Sequence, residues 1–273
     1  TVELFPGYLN GDPNSFKPYT LGNQGNVHAI CVGGTGAGKS VFLNHLIATV
    51  AYKYSPREVE LWLADFKGTE FQFYLPSELH PYILPHIKAC LCTSDGDYAT
   101  SVFKALRREA DLRYEILQNP NEFIKNYDKD PSKYPNRIPY RDGNPIPNFK
   151  GTVAWNRYWR QKADETGDKR YLDNIWTRIV FICDEFQVIF EKASANNLES
   201  IKEDITQIAK VGRAANVHIL FASQSMKKTI SDDILQQFTL RFALRCDKDV
   251  SQEILNTTKA SDIKEKYGFL IVK

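Results

Sequence analysis

Short apolar runs alternate with amphipathic stretches along most of the chain. Runs that are apolar on both faces predict strands buried inside a parallel sheet, and stretches with apolar residues three or four apart predict helices that cover it. The predicted strands are 27–32, 59–64, 179–183, 217–222, 240–245 and 269–272. The predicted helices are 39–53, 99–118, about 198–211 and about 250–255. This alternation predicts an α/β fold with a mostly parallel sheet and helices on both faces.

Turn residues set the expected ends of these helices. Asn119 and Pro120 follow the helix whose buried face includes Phe103 and Leu106, and Gly212 follows the helix that begins near residue 198. Proline lacks the donor that a helix interior needs, and glycine weakens a helix. We therefore expect these two helices to end at residue 118 and before Gly212.

Two segments lack this alternation. Residues 1–26 are rich in proline and glycine, and we expect a loop-rich lead-in packed against a domain that covers 27–273. Residues 128–178 contain five of the 13 prolines and three of the four tryptophans, which predicts an insertion. The basic and aromatic side chains of this segment suit nucleic-acid contact, a protein interface or a plain structural role. The aromatic residues concerned are Tyr134, Tyr140, Trp155, Tyr158, Trp159 and Trp176.

Composition narrows the class of protein. The 35 basic and 33 acidic residues leave a net charge of +2, which by itself favours neither a nucleic-acid nor a membrane partner. Five cysteines without a CxxC pair predict a reduced, cytoplasmic protein with no disulfide framework or zinc site. The 273 residues begin at Thr1 and contain one methionine, Met226, so we expect a piece of a longer protein. Any membrane contact would be made by parts outside this chain.

A glycine-rich segment after the first predicted strand fits G-x-x-x-x-G-K-[ST] at every fixed position. Its residues are Gly33, Gly34, Thr35, Gly36, Ala37, Gly38, Lys39 and Ser40. Glycines let backbone N–H groups surround a phosphate, the lysine adds a charge for the β- and γ-phosphates, and the serine hydroxyl ligates magnesium. The segment therefore predicts a site for ATP and Mg²⁺, and the alternative is a glycine turn that only packs a strand on a helix.

Polar residues end two further predicted strands. Asp184 and Glu185 follow the strand 179–183, and in a P-loop enzyme such an Asp holds magnesium while the adjacent Glu polarises the attacking water. Gln224 follows the strand 217–222 and is the expected sensor of the γ-phosphate or the water. The alternatives are a solvated acidic turn for the pair and an ordinary loop residue for Gln224.

Several ordered segments resemble the motor domain of FtsK/SpoIIIE-type ATPases. They are the phosphate loop, 65–71 (DFKGTEF), 84–86 (LPH), 107–117 (RREADLRYEIL), 184–186 (DEF) and 212–224 (GRAANVHILFASQ). The resemblance covers most of 27–273 outside the insertion. It implies a RecA-like P-loop fold and a homo-oligomeric ring, usually of six subunits, that hydrolyses ATP to translocate double-stranded DNA.

A related branch, the EccC/EssC ATPases, drives type VII protein secretion, so a secreted protein substrate is the alternative to DNA. Residues 54–56 and 253–257 look like that branch, whereas Gly68-Thr69-Glu70 is nearer to the DNA motors. The resemblance also implies an arginine given by a neighbouring subunit, for which we expect Arg241 rather than Arg245. A third hypothesis is a nucleotide-binding module that hydrolyses slowly and acts by assembly.

Overall fold

The computed structural model describes residues 1–273 except 9–11, 13, 16, 23–24, 78–83, 131, 133–139, 225–230 and 265–268. Within this part of the chain, seven strands form one sheet in the order β5-β4-β6-β7-β3-β8-β9, and β1 pairs with β2. The large sheet is parallel except for the antiparallel pair β8–β9. The strands are β1 Val2–Leu4, β2 Tyr19–Leu21, β3 Ala29–Val32, β4 Val59–Asp65, β5 Ile87–Cys92, β6 Arg178–Asp184, β7 Val217–Ser223, β8 Leu240–Leu244 and β9 Leu270–Val272.

Helices cover both faces of this sheet. They are α1 Lys39–Lys53, α2 Gly96–Gln118, α3 Pro120–Lys129, α4 Thr152–Thr166, α5 Gln187–Lys192, α6 Ala195–Ala215, α7 Asp232–Leu235 and α8 Lys248–Leu255. Successive β6 residues point to opposite faces: Phe181 packs with Phe103 of α2, and Ile182 packs in the core that contains Leu43 of α1. This period of two, apolar on both faces, confirms the predicted α/β class with its mostly parallel P-loop sheet.

The helix α6 corrects the boundary predicted at Gly212. It continues to Ala215, and Asn216 ends it in the left-handed conformation with φ 60°. A Cβ added at Gly212 would lie 2.5 Å from the carbonyl oxygen of Val217, so the close approach of the next strand requires glycine here. Gly212 allows the helix and the next strand to pack closely, and it does not end the helix.

Some elements escape the hydrophobic pattern. The strand β5 lies at the sheet edge with Lys88 and Ala89 exposed, so it lacks the continuous apolar run of a central strand. The lead-in contains β1 and β2, which are only three residues each, too short to show a period. Their apolar residues Val2, Leu4 and Leu21 are buried in the core beside α1.

The segment 128–178 contains α4 and packs with α2 and α3 around a small aromatic core. Trp155 and Trp159 are 0% and 2% exposed. The Trp155 ring stacks on that of Trp176 with centroids 4.5 Å apart, and Trp159 stacks on Tyr171 at 5.7 Å. These contacts favour the structural interpretation of the aromatic residues, while Tyr134 lies outside the described residues.

Candidate functional site

The phosphate loop connects β3 to α1 at the carboxyl end of the sheet. Gly36 and Gly38 have φ angles of 70° and 93°, in the left-handed region that glycine tolerates best. The Gly33 N–H donates to the Ser223 carbonyl at 3.2 Å and the Gly34 N–H donates to the Arg245 carbonyl at 2.9 Å. The loop is thus attached to the ends of both strands that flank β3. Its position at the amino end of a 15-residue helix suits an anion.

Lys39 lies between the two carboxylates that follow β6. Its ammonium group donates to Asp184 Oδ1 and lies 3.1 Å from Glu185 Oε1. The three residues are 6%, 0% and 3% exposed, so this is a buried cluster with one positive and two negative groups. The structure therefore brings together Lys39, Asp184 and Glu185, as the sequence predicts.

The pKa shifts in this cluster follow from burial and the mutual charges. Burial alone would lower the pKa of Lys39, but the charges of Asp184 and Glu185 outweigh it and the pKa is raised. Burial raises the pKa of Asp184 to about 6, against the opposing charge of Lys39. For Glu185, burial is outweighed by the Lys39 charge and by hydrogen bonds from Gln187 and Gln224, so its pKa is lowered. Glu185 is accordingly the carboxylate that the site keeps ionised most readily.

Two amide side chains hold the Glu185 carboxylate. Gln224 Nε2 donates to Glu185 Oε1 at 2.7 Å, and Gln187 Nε2 donates to Glu185 Oε2. Each amide oxygen in turn accepts a hydroxyl: Thr35 Oγ1 donates to Gln224 at 2.9 Å and Ser223 Oγ donates to Gln187 at 2.7 Å. Glu185 is therefore connected through Gln224 to the phosphate loop and through Gln187 to the end of β7.

Gln187 and Ser223 are the site residues that sequence analysis misses. Gln187 is one glutamine near the start of the short helix α5, with no motif that distinguishes it from an exposed residue. The available signal is its place two residues after Glu185, because a helix that starts after the acidic pair brings its first turn beside that pair. Glu185 itself has a φ of 50°, and the Phe186 N–H donates to the Ala222 carbonyl at 3.2 Å.

The residues at this site fit a magnesium ion bound together with phosphate. Asp184 Oδ2 is buried and has no hydrogen-bond partner among the described residues, so an acceptor is left for a cation. Ser40 follows Lys39 in the first turn of α1 and is half-buried. No group of three or more His, Cys, Asp and Glu side chains in the described part of the chain could hold a metal by itself. A magnesium ion bound with a nucleotide takes its remaining ligands from waters and phosphate oxygens.

The motif 65–71 forms a loop beside the acidic pair. Asp65 ends β4 directly opposite Asp184 of β6, and it is fully buried. Its carboxylate accepts backbone N–H groups of Lys67, Gly68 and Glu70 at 2.9, 2.9 and 2.6 Å. Asp65 therefore shapes the loop and leaves Lys67 exposed.

Arg241 does not fit the expected role of a cation given to a neighbouring subunit. It pairs with Ile30 within the sheet, below the level of the phosphate loop. Its guanidinium donates to the carbonyl oxygens of Phe238 at 2.9 Å, Ile254 at 2.8 Å and Leu235 at 3.1 Å. These bonds hold α8 and the turn after α7 onto β8, so the guanidinium is hydrogen-bonded within its own chain.

Known proteins match this chain along most of its length. The FtsK/SpoIIIE family model matches residues 5–228. The chain is 25% identical over 240 residues to the DNA translocase FtsK of Chlorobaculum tepidum, covering 86% of this chain and 24% of the relative. It is 23% identical over 238 residues to the type VII secretion system protein EssC of Staphylococcus aureus, covering 86% and 13%. The chain thus spans a quarter or less of these two relatives.

The fold has a solved counterpart. The cytoplasmic domain of the type VII secretion ATPase EccC from Thermomonospora curvata superposes with a TM-score of 0.68 and 18% identity, over all of this chain and 27% of that one. Among the described residues, no helix is both long and apolar enough to cross a membrane. The matched family model covers well over half of the sequence and includes the phosphate loop and the acidic pair. The chain belongs to the FtsK/SpoIIIE family.

Proposed function

We propose that this chain is an ATP-hydrolysing motor domain that works in a homo-oligomeric ring and translocates double-stranded DNA. The observation that carries the proposal is the buried Lys39–Asp184–Glu185 cluster beside the phosphate loop. Two carboxylates buried side by side are costly without cations, and a structural ion pair would need only one of them. The second carboxylate is explained by a catalytic role.

The residues divide this role between binding and chemistry. The phosphates of ATP are bound by the Lys39 ammonium and by N–H groups of the phosphate loop other than those of Gly33, Gly34 and Ala37, which donate to carbonyl oxygens. Ser40 and Asp184 would hold Mg²⁺, which neutralises charge on the phosphates when it is bound. Glu185 orients and polarises the attacking water, since its lowered pKa keeps it in the ionised form that accepts a hydrogen bond from that water.

Gln224 joins the phosphate loop to the general base. It accepts from Thr35 of the loop and donates to Glu185, so a phosphate that moves Thr35 also shifts the partner of Glu185. This supports the predicted sensor role. Arg241 is left out of the proposal because its guanidinium is already bonded to three carbonyls of its own subunit.

The choice of DNA over protein rests on the sequence relatives and on the 68–70 segment. The match to a protein named as a DNA translocase supports DNA, and the comparable match to EssC supports a secreted protein as the second candidate. Both candidates share the hydrolysis site, so they differ in what stimulates it.

The test is the ATPase rate per subunit against protein concentration, with and without linear duplex DNA, at about 50 and about 200 mM salt. A shared site predicts a rate that climbs with concentration, and a DNA motor predicts a further, salt-sensitive increase with DNA. A concentration-dependent rate that ignores DNA would move the proposal to protein secretion. A rate near background at high concentration would favour the nucleotide-binding module.

Lys39→Ala should lower turnover at least about 100-fold, because the phosphates lose their positioned charge. The matched control is Lys104→Ala, which removes an exposed lysine of α2 and should leave the rate unchanged. Wild-type turnover in Lys39→Ala would overturn the proposed hydrolysis site.

A further inference from the structure

A second cleft lies at the opposite end of the sheet from the phosphate loop. It has a volume of about 630 Å³ and lies where α6 ends, β7 begins and α4 starts. The phosphate loop follows the carboxyl end of β3, whereas this cleft adjoins Asn216, which precedes the amino end of β7. The two sites are therefore separated by the length of the parallel strands.

The cleft concentrates unpaired positive charge. Lys150, Arg157, Lys210 and Arg213 line it, all four are exposed, and none forms an ion pair or side-chain hydrogen bond with another described residue. No aspartate or glutamate is among the described residues that line it. Four like charges around one concavity repel one another, and an anion bound there would relieve that repulsion.

Three carbonyl oxygens at the end of α6, beside the cleft, already accept hydrogen bonds. A helix ends with exposed carbonyl oxygens that would reduce the positive potential, and α6 ends at this cleft. Its Gly212 carbonyl accepts the Asn216 N–H, its Ala214 carbonyl accepts Thr152 Oγ1 at 2.9 Å, and its Ala215 carbonyl accepts Arg113 at 3.2 Å. No carboxylate among the described lining residues compensates the four exposed cations.

The walls of the cleft are held in place. The bond from Thr152 to Ala214 ties the start of α4 to the end of α6, and α4 is anchored below by the buried Trp155. Lys210 and Arg213 are three residues apart and share one side of α6. Arg157 extends from α4, Lys210 and Arg213 extend from α6, and Lys150 extends from the residues before α4, all toward a common space.

We propose that this cleft binds phosphate groups and that its occupant is the sugar–phosphate backbone of duplex nucleic acid. Long exposed side chains at an open cleft suit several phosphates of a polyanion. The described lining contains no aromatic side chain on which a nucleobase could stack. Binding therefore depends on the charge of the phosphates and shows no sequence preference. The choice of duplex rests on the proposed function, whereas the phosphate chemistry rests on the cleft alone.

The test compares duplex binding by the wild type and by the Lys210→Gln/Arg213→Gln variant, using fluorescence anisotropy with labelled duplexes of two unrelated sequences. Removing two phosphate contacts should reduce the slope of log affinity against log salt by about 2 and weaken binding about ten-fold or more at low salt. Both duplexes should respond alike. Lys104→Gln/Arg108→Gln, which removes one exposed lysine and one exposed arginine of α2, is the matched control and should bind like the wild type.

Titrations with pyrophosphate and with polyglutamate test the other possible occupants of the cleft. In the Lys210→Gln/Arg213→Gln variant, here called the cleft variant, the ATPase rate without DNA and the thermal midpoint should equal those of the wild type. The charge-conserving variant Lys210→Arg/Arg213→Lys should bind duplex like the wild type. Unchanged duplex affinity and salt slope in the cleft variant would overturn the proposal. With the phosphate loop saturated by an ATP analogue, loss of pyrophosphate binding in the cleft variant with duplex binding intact would overturn the nucleic-acid occupant in favour of a small phosphate. Loss of polyglutamate binding alone would point instead to an acidic protein.

Failure of the cleft proposal can be told apart from failure of the proposed ATP hydrolysis site. If Lys39→Ala kept wild-type turnover, the proposed function would fall while the salt slope still tested the cleft. If the cleft variant bound duplex normally, the hydrolysis site would stand and this inference would fall.

Discussion

The carboxyl and amino ends of the parallel sheet differ in the balance of their buried ionisable groups. At the carboxyl end, Lys39, Asp184 and Glu185 are buried and compensate one another. At the amino end, burial lowers the pKa values of His28 and His218 to about 4 and to about 3, and a charged pair buried beside them, Arg113–Glu109, is evenly matched. The carboxyl end thus buries an excess of negative groups, whereas the amino end buries neutral rings and a balanced pair.

This difference separates function from stability along the same strands. The cluster at the carboxyl end holds two carboxylates against one ammonium, an excess that a bound cation would offset, whereas the matched Arg113–Glu109 pair joins α2 to the residues before β6 and β7. Neutral histidines that bond the backbone serve packing. His218 Nδ1 bonds with the Val27 carbonyl at 2.9 Å, and the Ile219 N–H donates to His28 Nδ1 at 3.1 Å. Substitutions at one end should change turnover, and those at the other should change folding.

The largest effect is expected from Glu185→Gln. Removing the proposed general base should lower turnover by about 10²–10⁴-fold, while nucleotide affinity changes only several-fold because the phosphate loop is intact. Steady-state ATPase assays and titration with a fluorescent ATP analogue measure the two quantities. Glu191→Gln removes an exposed carboxylate of α5 and is the matched control. Turnover that survives in Glu185→Gln would assign the base elsewhere.

The amino end should produce the next largest effect, in stability against pH. Both histidines have folded pKa values below the ordinary 6.5, so the unfolded chain takes up protons first as the pH falls. Stability that is fully present above about pH 6.5 is therefore lost toward pH 4. Between about pH 7 and 5 the free energy of unfolding should fall by about 2 kcal/mol per histidine.

Urea denaturation of His218→Asn at both pH values isolates one of these contributions. The variant should lose about half of the pH dependence that the two buried rings produce, whatever its absolute stability. His45→Asn, at the surface, should keep the wild-type dependence. An identical dependence in His218→Asn and the wild type would show that the ring is not the titrating group.

Gln187→Ala should have the smallest effect of the three. It removes one of the two amides that hold Glu185, so kcat should fall about ten-fold with little change in KM for ATP. A merely structural role would instead lower the thermal midpoint and leave kcat per folded molecule unchanged. Gln252→Ala, at an exposed position of α8, is the control and should match the wild type in both quantities.

Much of the fold follows from local pattern. Strands β3, β4, β6, β7 and β8 and helices α1 and α2 lie within a few residues of their predicted bounds, because each buries the face that its apolar spacing defines. The pattern misses β5, whose edge position exposes part of one face, and it ends α6 too early at Gly212. In both cases the deciding contact comes from a neighbouring element.

The sequence by itself determined the phosphate loop, the acidic pair and the α/β order. The first two are motifs of consecutive residues, and the third follows from the spacing of apolar residues along the chain. The tertiary structure decided that Gln187 donates to Glu185, that Arg241 is hydrogen-bonded within its own chain, and that Lys150 and Arg157 share a cleft with Lys210 and Arg213. The spacing of apolar residues predicts which face of a helix or strand is buried. It does not predict which distant element packs against that face, and the hydrogen-bond partners of a polar side chain depend on that packing.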